Sequence, residues 1–369
     1  MLSPSYVRYD DSVEVVQPDE EATIGEVLDV FHKLQTLTFE KHRHAVRAAH
    51  AKSHGILRGE LTVSGGLSRP LAQGLFATPR TYPVIVRLST APGDILADGI
   101  ASFRGMALKV IGVDGPKLLP ELADAVTQDF LLVNHPFFPT GDVRSFLSAQ
   151  RRLETTAHAP EPLQEALTTT SRLAGDAVRA FGAGDPAGLI GQAKPETHIL
   201  GETYYTTAPL RYGDYIAKLA VVPVSDALQP LVGRHVDTSD AYALRDLVVA
   251  FFREQGAECE LRAQLCTDLK TMPVEDASVR WPEDAGEHGS PYQPVARLTI
   301  PAQEAYSPER RVYADEVLAF SPWHTLPAHR PLGSLMRARR RAYDASARFR
   351  HAMNARRASE PRSIDELPA

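Results

Sequence analysis

A basic segment near the end of the chain carries the residues with the clearest chemical potential. Arg339, Tyr343, Ser346 and Arg350 follow one another at helical spacing within a helix predicted from about Ser334 to Ala355, so they share one stripe of its surface. A guanidinium one turn from a phenol favours the phenolate form. Because a phenolate is a hard anionic ligand for ferric iron, the stripe predicts an iron site, although most charge-rich helices are simply solvated.

A second group of residues, Arg47-Ala-Ala-His50-Ala-Lys-Ser-His54-Gly55, lies where the pattern predicts that an N-terminal helix continues and ends at Gly55. On a helix, Arg47 and His50 share a face, and His50 and His54 have the i, i+4 spacing of zinc ligands. The glutamate of the zinc-protease motif is absent and no third ligand is marked. Histidines that are solvated, or satisfied within the core, are the alternative.

A third group lies at the end of an apolar strand, Val86-Arg87-Leu88-Ser89-Thr90. An arginine among valine, isoleucine and leucine is costly to bury without an anionic partner. Arg87 therefore either reaches solvent at a rim or meets an anion. Ser89 has the same side-chain parity as Arg87, so we expect both to point to one side of the sheet.

Short extended segments dominate the rest of the pattern. Eight of them are apolar or β-branched and bounded by glycine or proline, which predicts strands: residues 56–63, 82–90, 104–112, 128–134, 202–210, 217–224, 258–266 and 295–301. The first four lie too close together for a helix between every pair, which favours antiparallel pairing. Eight strands can close a small barrel. The predicted fold class is α+β, an eight-stranded antiparallel β-barrel with helices around it.

Helical patterns and polar ends complete the predicted organisation. Apolar residues recur at helical spacing over 24–34, and residues 142–185 and 239–256 also read as helical. Residues 1–21 are polar and acidic and predict an N-terminal arm. Residues 22–355 would then form one domain, followed by a C-terminal tail over 356–369.

The composition indicates a globular protein. Its 369 residues contain 40 Lys and Arg against 46 Asp and Glu, a formal charge of −6, with 43% hydrophobic and 23% charged residues. These proportions exclude disorder over most of the length, and the negative charge argues against a general nucleic-acid binder. No apolar run reaches the roughly 18 residues of a membrane span, and the first residues lack the apolar block of a secretory signal. Cys259 and Cys266 are expected to be buried thiols, so the expected location is the cytoplasm.

Taken together, the motifs resemble those of the catalase superfamily, in the same order. Residues 47–53 resemble its Arg-x-x-His-Ala-Lys-Gly, 86–90 its Val-Arg-Phe-Ser-Thr, 104–110 its Arg-Gly-Phe-Ala-Val-Lys-Phe and 134–138 its Asn-Thr-Pro-x-Phe. Arg339, Tyr343 and Arg350 resemble the late motif of the family, Arg-x-x-x-Tyr followed by a further Arg seven residues on. The similarity spans roughly residues 35–353 and is nearest to small, divergent bacterial catalase-related peroxidases. It implies a catalase-like barrel.

The resemblance implies a b-type haem with an iron ligand on the late helix. Tyr343, as phenolate, would be that ligand, with Arg339 hydrogen-bonded to it. Arg47, Arg87 and Arg350 would pair with the two haem propionates, which would also supply the anion that a buried Arg87 needs.

The other side of the haem would carry the acid–base chemistry. His50 would be the distal acid and base, Ser89 its support, and Asn134 would hold the peroxide beside it. The family threonine after that asparagine is His135 here, and the second phenylalanine of the motif is Pro139. Both changes could reshape the distal pocket, and an ordinary turn before Pro136 is the alternative for Asn134.

The proximal helix also departs from the family. Asp344-Ala-Ser346 follows Tyr343, where the family has Pro-Asp-Thr. His324 or His329 would be the rival iron ligands. Tyr343 is preferred because it alone has the guanidinium spacing that suits a phenolate.

The implied function is reduction of a hydroperoxide by a haem-dependent oxidoreductase, more peroxidase than catalase. Its partners would be hydrogen peroxide or an organic hydroperoxide and a small organic reductant, with no nucleic acid, no membrane span and assembly into a homo-oligomer. Three alternatives stay open: a true catalase, a fatty-acid hydroperoxide isomerase or lyase using the apolar Leu131, Leu132, Phe137 and Phe138, and a non-catalytic haem-binding protein.

Overall fold

A closed antiparallel barrel forms the centre of the molecule. The computed structural model describes residues 5–100, 102–156, 196–284 and 289–369. Nine strands are present: β1 Ser53–Val63, β2 Thr81–Thr90, β3 Arg104–Ile111, β4 Thr127–Val133, β5 Tyr204–Tyr205, β6 Leu210–Tyr212, β7 Tyr215–Pro223, β8 Ala257–Leu265 and β9 Gln293–Ile300. They pair in the order β5-β4-β3-β2-β1-β9-β8-β7-β6, and β5 also pairs with β7. Eight strands therefore close the ring, as predicted, and the short β6 pairs with β7 outside it.

Apolar side chains on alternate strand positions fill the barrel. In β8 the buried Cys259, Leu261 and Ala263 alternate with half-buried neighbours, the period-two pattern of a strand with one face in the core. Leu57, Leu219 and residues from the other long strands join the same cluster. Each fully buried aliphatic side chain stabilises the fold by about 1.5–3 kcal/mol. The barrel wall is therefore a rigid support for side chains at its ends.

Within the described residues, five helices pack around the barrel. They are α1 Glu20–His42, α2 Val143–Thr156, α3 Ala243–Glu254, α4 Pro308–Val312 and α5 Ser334–Met353. A second apolar cluster joins α1, α2 and α5 through residues such as Val27, Phe146 and Leu335. α2 confirms the start of the helix predicted over 142–185, whose remainder lies outside the described residues. None of the five combines the length and hydropathy needed to cross a bilayer.

The prediction that the N-terminal helix continues to Gly55 is wrong. α1 ends at His42, and Arg43 caps it in the left-handed conformation at φ 52°. Residues 43–52 form a loop, and Ser53 already begins β1. The loop is drawn toward the sheet because His50 N donates to Ala91 O at 2.9 Å and Ala51 N to Pro92 O at 3.0 Å. Backbone pairing with the end of β2 thus overrides local helix propensity.

Both polar ends pack against the barrel. In the arm, Val7 N donates to Cys266 O and Tyr9 N to Asp214 O, each at 2.9 Å. In the tail, Leu367 is fully buried in an outer cluster with Ile56 and Ile85. Cys259 and Cys266 are free, buried thiols, and Cys266 lies in a separate cluster from Cys259.

Candidate active site

His50 is held in a costly backbone conformation at the end of the barrel. Its φ is +55°, a left-handed value that costs a non-glycine residue roughly 1–2 kcal/mol. The two backbone hydrogen bonds to residues 91 and 92 fix this conformation. Such conformations persist where the surroundings enforce them, and they cluster at functional sites.

The imidazole of His50 packs closely against strands β2 and β3. Its Nδ1 is 3.1 Å from Ser89 Oγ. Gly105 pairs with Ser89 across the sheet, and a Cβ at Gly105 would lie 2.5 Å from His50 Nδ1. The ring therefore fits only because position 105 has no side chain.

The surroundings of His50 keep its imidazole neutral. Burial is the largest cause, and Arg87, Arg339 and Arg47 add to it, so that the pKa falls to about 3. At neutral pH the ring therefore has a nitrogen that can accept a proton, as a general base requires. The same charges indicate that Arg339 of α5 acts electrostatically on His50, although the two residues are far apart in sequence.

A methyl group at position 105 is expected to displace this ring. The resemblance to catalases implies a reaction with peroxide, and in Gly105→Ala we expect its rate to fall roughly tenfold or more, because misplacement of a reacting group by about 1 Å can cost 10²-fold. Stopped-flow absorbance on protein loaded with the haem that the resemblance implies would measure the rate. Gly25→Ala is the matched control, since a Cβ there has nothing within 4 Å. Equal rates for both variants would contradict the packing described here.

Tyr343 and Arg339 form a direct pair on α5. Arg339 Nη2 donates to Tyr343 Oη at 2.6 Å, and the guanidinium carbon is 5.1 Å from the ring centroid. The spacing of four residues on one helix places the two groups on the same face. The phenol oxygen thus has a cationic donor that fixes its position.

Direct hydrogen bonds join the loop of His50 to the helix of Tyr343. Ser346 Oγ accepts from Ala48 N at 3.1 Å and from Gln35 Nε2 of α1 at 3.1 Å. Asn354 adds a second connection, because its Oδ1 accepts from Ala45 N at 2.9 Å. These hydrogen bonds attach the loop that carries His50 to the helix that carries Tyr343.

Three predicted arginines converge on a single short segment after α4. That segment, Tyr313–Val317, is a π-helical turn, a distortion that often occurs at functional sites. Arg47 Nη1 and Arg87 Nε both donate to Asp315 Oδ1 at 2.9 Å. Arg350 donates to the backbone oxygen of Asp315. The structure thus brings together all three residues that the resemblance implies for the propionates, and adds a carboxylate among them.

Asn134 is buried beneath this end of the barrel. It is 3% exposed, and it forms a reciprocal pair with Arg104: Asn134 N donates to Arg104 O at 3.0 Å, and Arg104 N donates to Asn134 Oδ1 at 2.9 Å. The amide oxygen therefore joins the ends of β3 and β4. The next residue, His135, donates from Nδ1 to Phe137 O at 2.9 Å and packs edge-on against the rings of Phe103 and Phe137.

The two rival ligands, His329 and His324, each have a polar partner other than a metal. His329 Nε2 accepts from Leu75 N at 2.9 Å, among the rings of Phe76, Phe130 and Tyr212. His324 Nδ1 lies 3.3 Å from Asp129 and 3.5 Å from Glu360.

His54, which has zinc-ligand spacing to His50 in the sequence, is on β1, and its Nε2 is 3.2 Å from Thr90 Oγ1. Within the described ranges, no three His, Cys, Asp or Glu side chains form a metal site.

The buried His329 should make the protein sensitive to mild acid. Burial lowers its pKa to about 3 from 6.5, so its contribution is complete above pH 6.5 and is lost as the pH falls toward 3. Between pH 7 and pH 5 we expect the free energy of unfolding to drop by about 2 kcal/mol from this group alone. Urea unfolding at both pH values measures the drop. His329→Gln should reduce the slope, and an unchanged slope would refute the assignment.

Two residues of this site escape sequence reasoning. Gly105 gives one usable signal, a glycine within a strand, which often marks a close approach. Asp315 gives none, because it lies in an ordinary acidic stretch of a short helical segment. Its role arises from arginines that are distant in sequence.

Comparison with known proteins places the fold among catalases. The chain is similar to a fungal catalase (17% identity, TM-score 0.58, covering 90% of this chain and 67% of the other) and to a bacterial catalase (18%, 0.58, 86% and 60%). It is also similar to catalase A from Saccharomyces cerevisiae (15%, 0.57, 90% and 70%). The chain thus spans 60% to 70% of the length of these catalases. No family model and no curated protein sequence matches it. At such identities, the likeness shows a catalase-like fold.

Proposed function

We propose that this protein is a haem-dependent oxidoreductase that reduces hydroperoxides, with more peroxidase than catalase activity. Two pairs support the proposal, His50 with Ser89 and Tyr343 with Arg339. The loop that carries the first pair is hydrogen-bonded to the helix that carries the second, from Ala48 N to Ser346 Oγ. The catalase-like fold supports the proposal.

The residues of the site fit a porphyrin with acidic side chains. Arg47 and Arg87 pair with the carboxylate of Asp315, and Arg350 donates to its backbone oxygen, so that three guanidiniums gather around one carboxylate and leave two positive charges in a buried place. Arg350 Nε is buried and has no partner among the described residues. Buried charge of this kind calls for an anionic partner. Two propionates match it in sign and number, and Tyr343 Oη is the oxygen that would hold the iron.

His50 would move the proton between the two oxygens of the peroxide. Its neutral ring would accept a proton from one oxygen of the hydroperoxide and return it to the departing oxygen, which would leave as water or alcohol. The contact of Nδ1 with Ser89 orients the ring for this exchange. When bound, haem would supply a redox-active iron that delivers the electrons for cleavage of the oxygen–oxygen bond.

The surroundings of Asn134 favour peroxidase over catalase activity. A catalase needs a second peroxide held beside the imidazole, and positioning of a reactant can contribute several kcal/mol. Here the oxygen of Asn134 is engaged by Arg104 N, and a bulky His135 packs where the family has threonine. An organic reductant would then complete the cycle in place of the second peroxide.

The decisive experiment compares two products in the haem-loaded protein. Oxygen release is followed with an electrode and dye oxidation by absorbance, both under the same peroxide. We expect dye oxidation to exceed oxygen release. Vigorous oxygen evolution with no dye turnover would refute the peroxidase assignment, and a protein without a Soret band would refute the haem assignment.

The lipid-hydroperoxide alternative receives no support from the apolar residues that suggested it. Leu132 belongs to the barrel interior, Leu131 packs against the outer cluster, and Phe138 packs with α1 and α2. Phe137 contacts the ring of His135. The four side chains therefore do not line one acyl channel.

The alternative of a non-catalytic haem-binding protein is also less favoured, because such a protein would have little use for the strained, neutral His50.

A further inference from the structure

Asp315 is the carboxylate around which the arginines of the candidate site gather. Its Oδ1 accepts from Arg47 and Arg87, each at 2.9 Å, and its Oδ2 accepts from Ser53 Oγ at 2.7 Å. Arg87 and Arg350 are 3% and 2% exposed. Solvent screening is therefore weak here, and the balance of charges matters more than at the surface.

Counting the buried charges leaves an excess of two positive units. Three guanidiniums gather around the carboxylate of Asp315. Glu316, the next acidic residue, also attracts Arg350, but its ion pairs are with Arg356 at 3.2 Å and His44 at 3.3 Å. Burial alone would raise the pKa of Asp315, but Arg87 and Arg47 outweigh it and hold the pKa below its usual value. Asp315 is therefore ionised at neutral pH and cancels one of the three positive charges.

We infer that Asp315 is an internal counter-ion that lowers the net charge of this site to two positive units, which matches a porphyrin with two carboxylate side chains and limits the preference of the site for that diacid over a porphyrin whose acids are masked. This inference rests on the proposed function. In a fully neutralised site, little electrostatic attraction would offset the free energy that the carboxylates of the ligand lose on leaving water. A site with three uncompensated guanidiniums would lose stability before any ligand arrives.

The arginines do not need the charge of Asp315 to stay in place. Each guanidinium also donates to at least two backbone carbonyl oxygens: Arg47 to Ala314, Asp315 and Leu318, Arg87 to His50 and Ala51, and Arg350 to Asp315 and Leu318. Asp315→Asn keeps the shape and one acceptor oxygen. The substitution therefore changes the charge of the site far more than its geometry.

The test measures binding of iron-free protoporphyrin and of its dimethyl ester, by fluorescence, to the wild type and Asp315→Asn. Without iron, the bond to Tyr343 does not contribute. We expect the ratio of the two dissociation constants, ester over diacid, to rise roughly tenfold in Asp315→Asn, because one more unscreened positive charge attracts the acids. Asp98→Asn is the control, since it neutralises a buried carboxylate that pairs with Lys52 at 2.6 Å. Its ratio should equal that of the wild type.

A second measurement needs no variant. Wild-type affinity should fall stepwise from the diacid to the monomethyl ester and again to the dimethyl ester, because two positive charges remain. Loss at only one step, or an unchanged or lower ratio in a folded Asp315→Asn, would overturn the role of Asp315 while leaving porphyrin binding intact. If the wild type binds neither porphyrin, the proposed function itself fails and the inference fails with it.

Discussion

Tyr343→Phe is expected to lose haem or to retain it in a visibly altered state. Phenylalanine has the same ring without the oxygen that Arg339 holds at 2.6 Å, so the proposed ligand of the iron would be absent. Loss of an outer partner of a metal ligand already costs about 10- to 100-fold in affinity. We therefore expect a loss of roughly 100-fold or more, measured by haem titration, with shifted ligand-field bands in any pigment that remains.

Tyr242→Phe serves as the matched control, because Tyr242 is 45% exposed and its ring packs against Lys52 and Arg245. It should bind haem as the wild type does. A Tyr343→Phe protein with full pigment and unaltered bands would contradict the assignment of the ligand. His324 would then need to be considered again, since His329 Nε2 is already engaged by the Leu75 amide.

His50→Gln is expected to leave haem binding intact and to slow the reaction with peroxide by about 10²- to 10⁴-fold, the usual contribution of a positioned acid and base. Glutamine can still occupy the space above Gly105 but cannot take up and return a proton. Stopped-flow mixing of the loaded protein with peroxide measures the rate.

The matched control is His32→Gln on the exposed face of α1, where the imidazole packs edge-on against Phe349. Its rate should equal that of the wild type. Similar rates for His50→Gln and the wild type would show that the imidazole carries no proton, and the proposed mechanism would have to be abandoned.

The sequence patterns were sufficient for the barrel because its long strands are apolar or β-branched segments bounded by glycine or proline, which is a local signal. Every long strand was predicted to within three residues at each end. The extent of the predicted strand 202–210 was wrong: only the two residues of β5 lie inside it as a strand, and β6 begins at its last residue, because this division depends on pairing with β4 and β7.

The loop of His50 was predicted incorrectly because its conformation is decided by distant partners. Charged and alanine-rich residues read as helix, whereas hydrogen bonds to residues 91, 92, 346 and 354 hold the segment open. The pairing of Arg47 with Asp315 has the same origin. Contacts between side chains that are distant in sequence produce no periodic pattern within either segment. The residues of the candidate site could therefore be predicted from the sequence, but their geometry could not.

The closure of the barrel is uneven, and this bears on the candidate site. β5 joins its neighbours through one residue pair with β4, Val133 with Tyr205, and two with β7, while the other strands of the ring pair over at least four residues. Local opening costs least where few backbone bonds must break. The barrel wall therefore has its fewest backbone pairs one residue from Asn134. We expect local opening of the barrel to occur there before any of the longer strand pairings breaks.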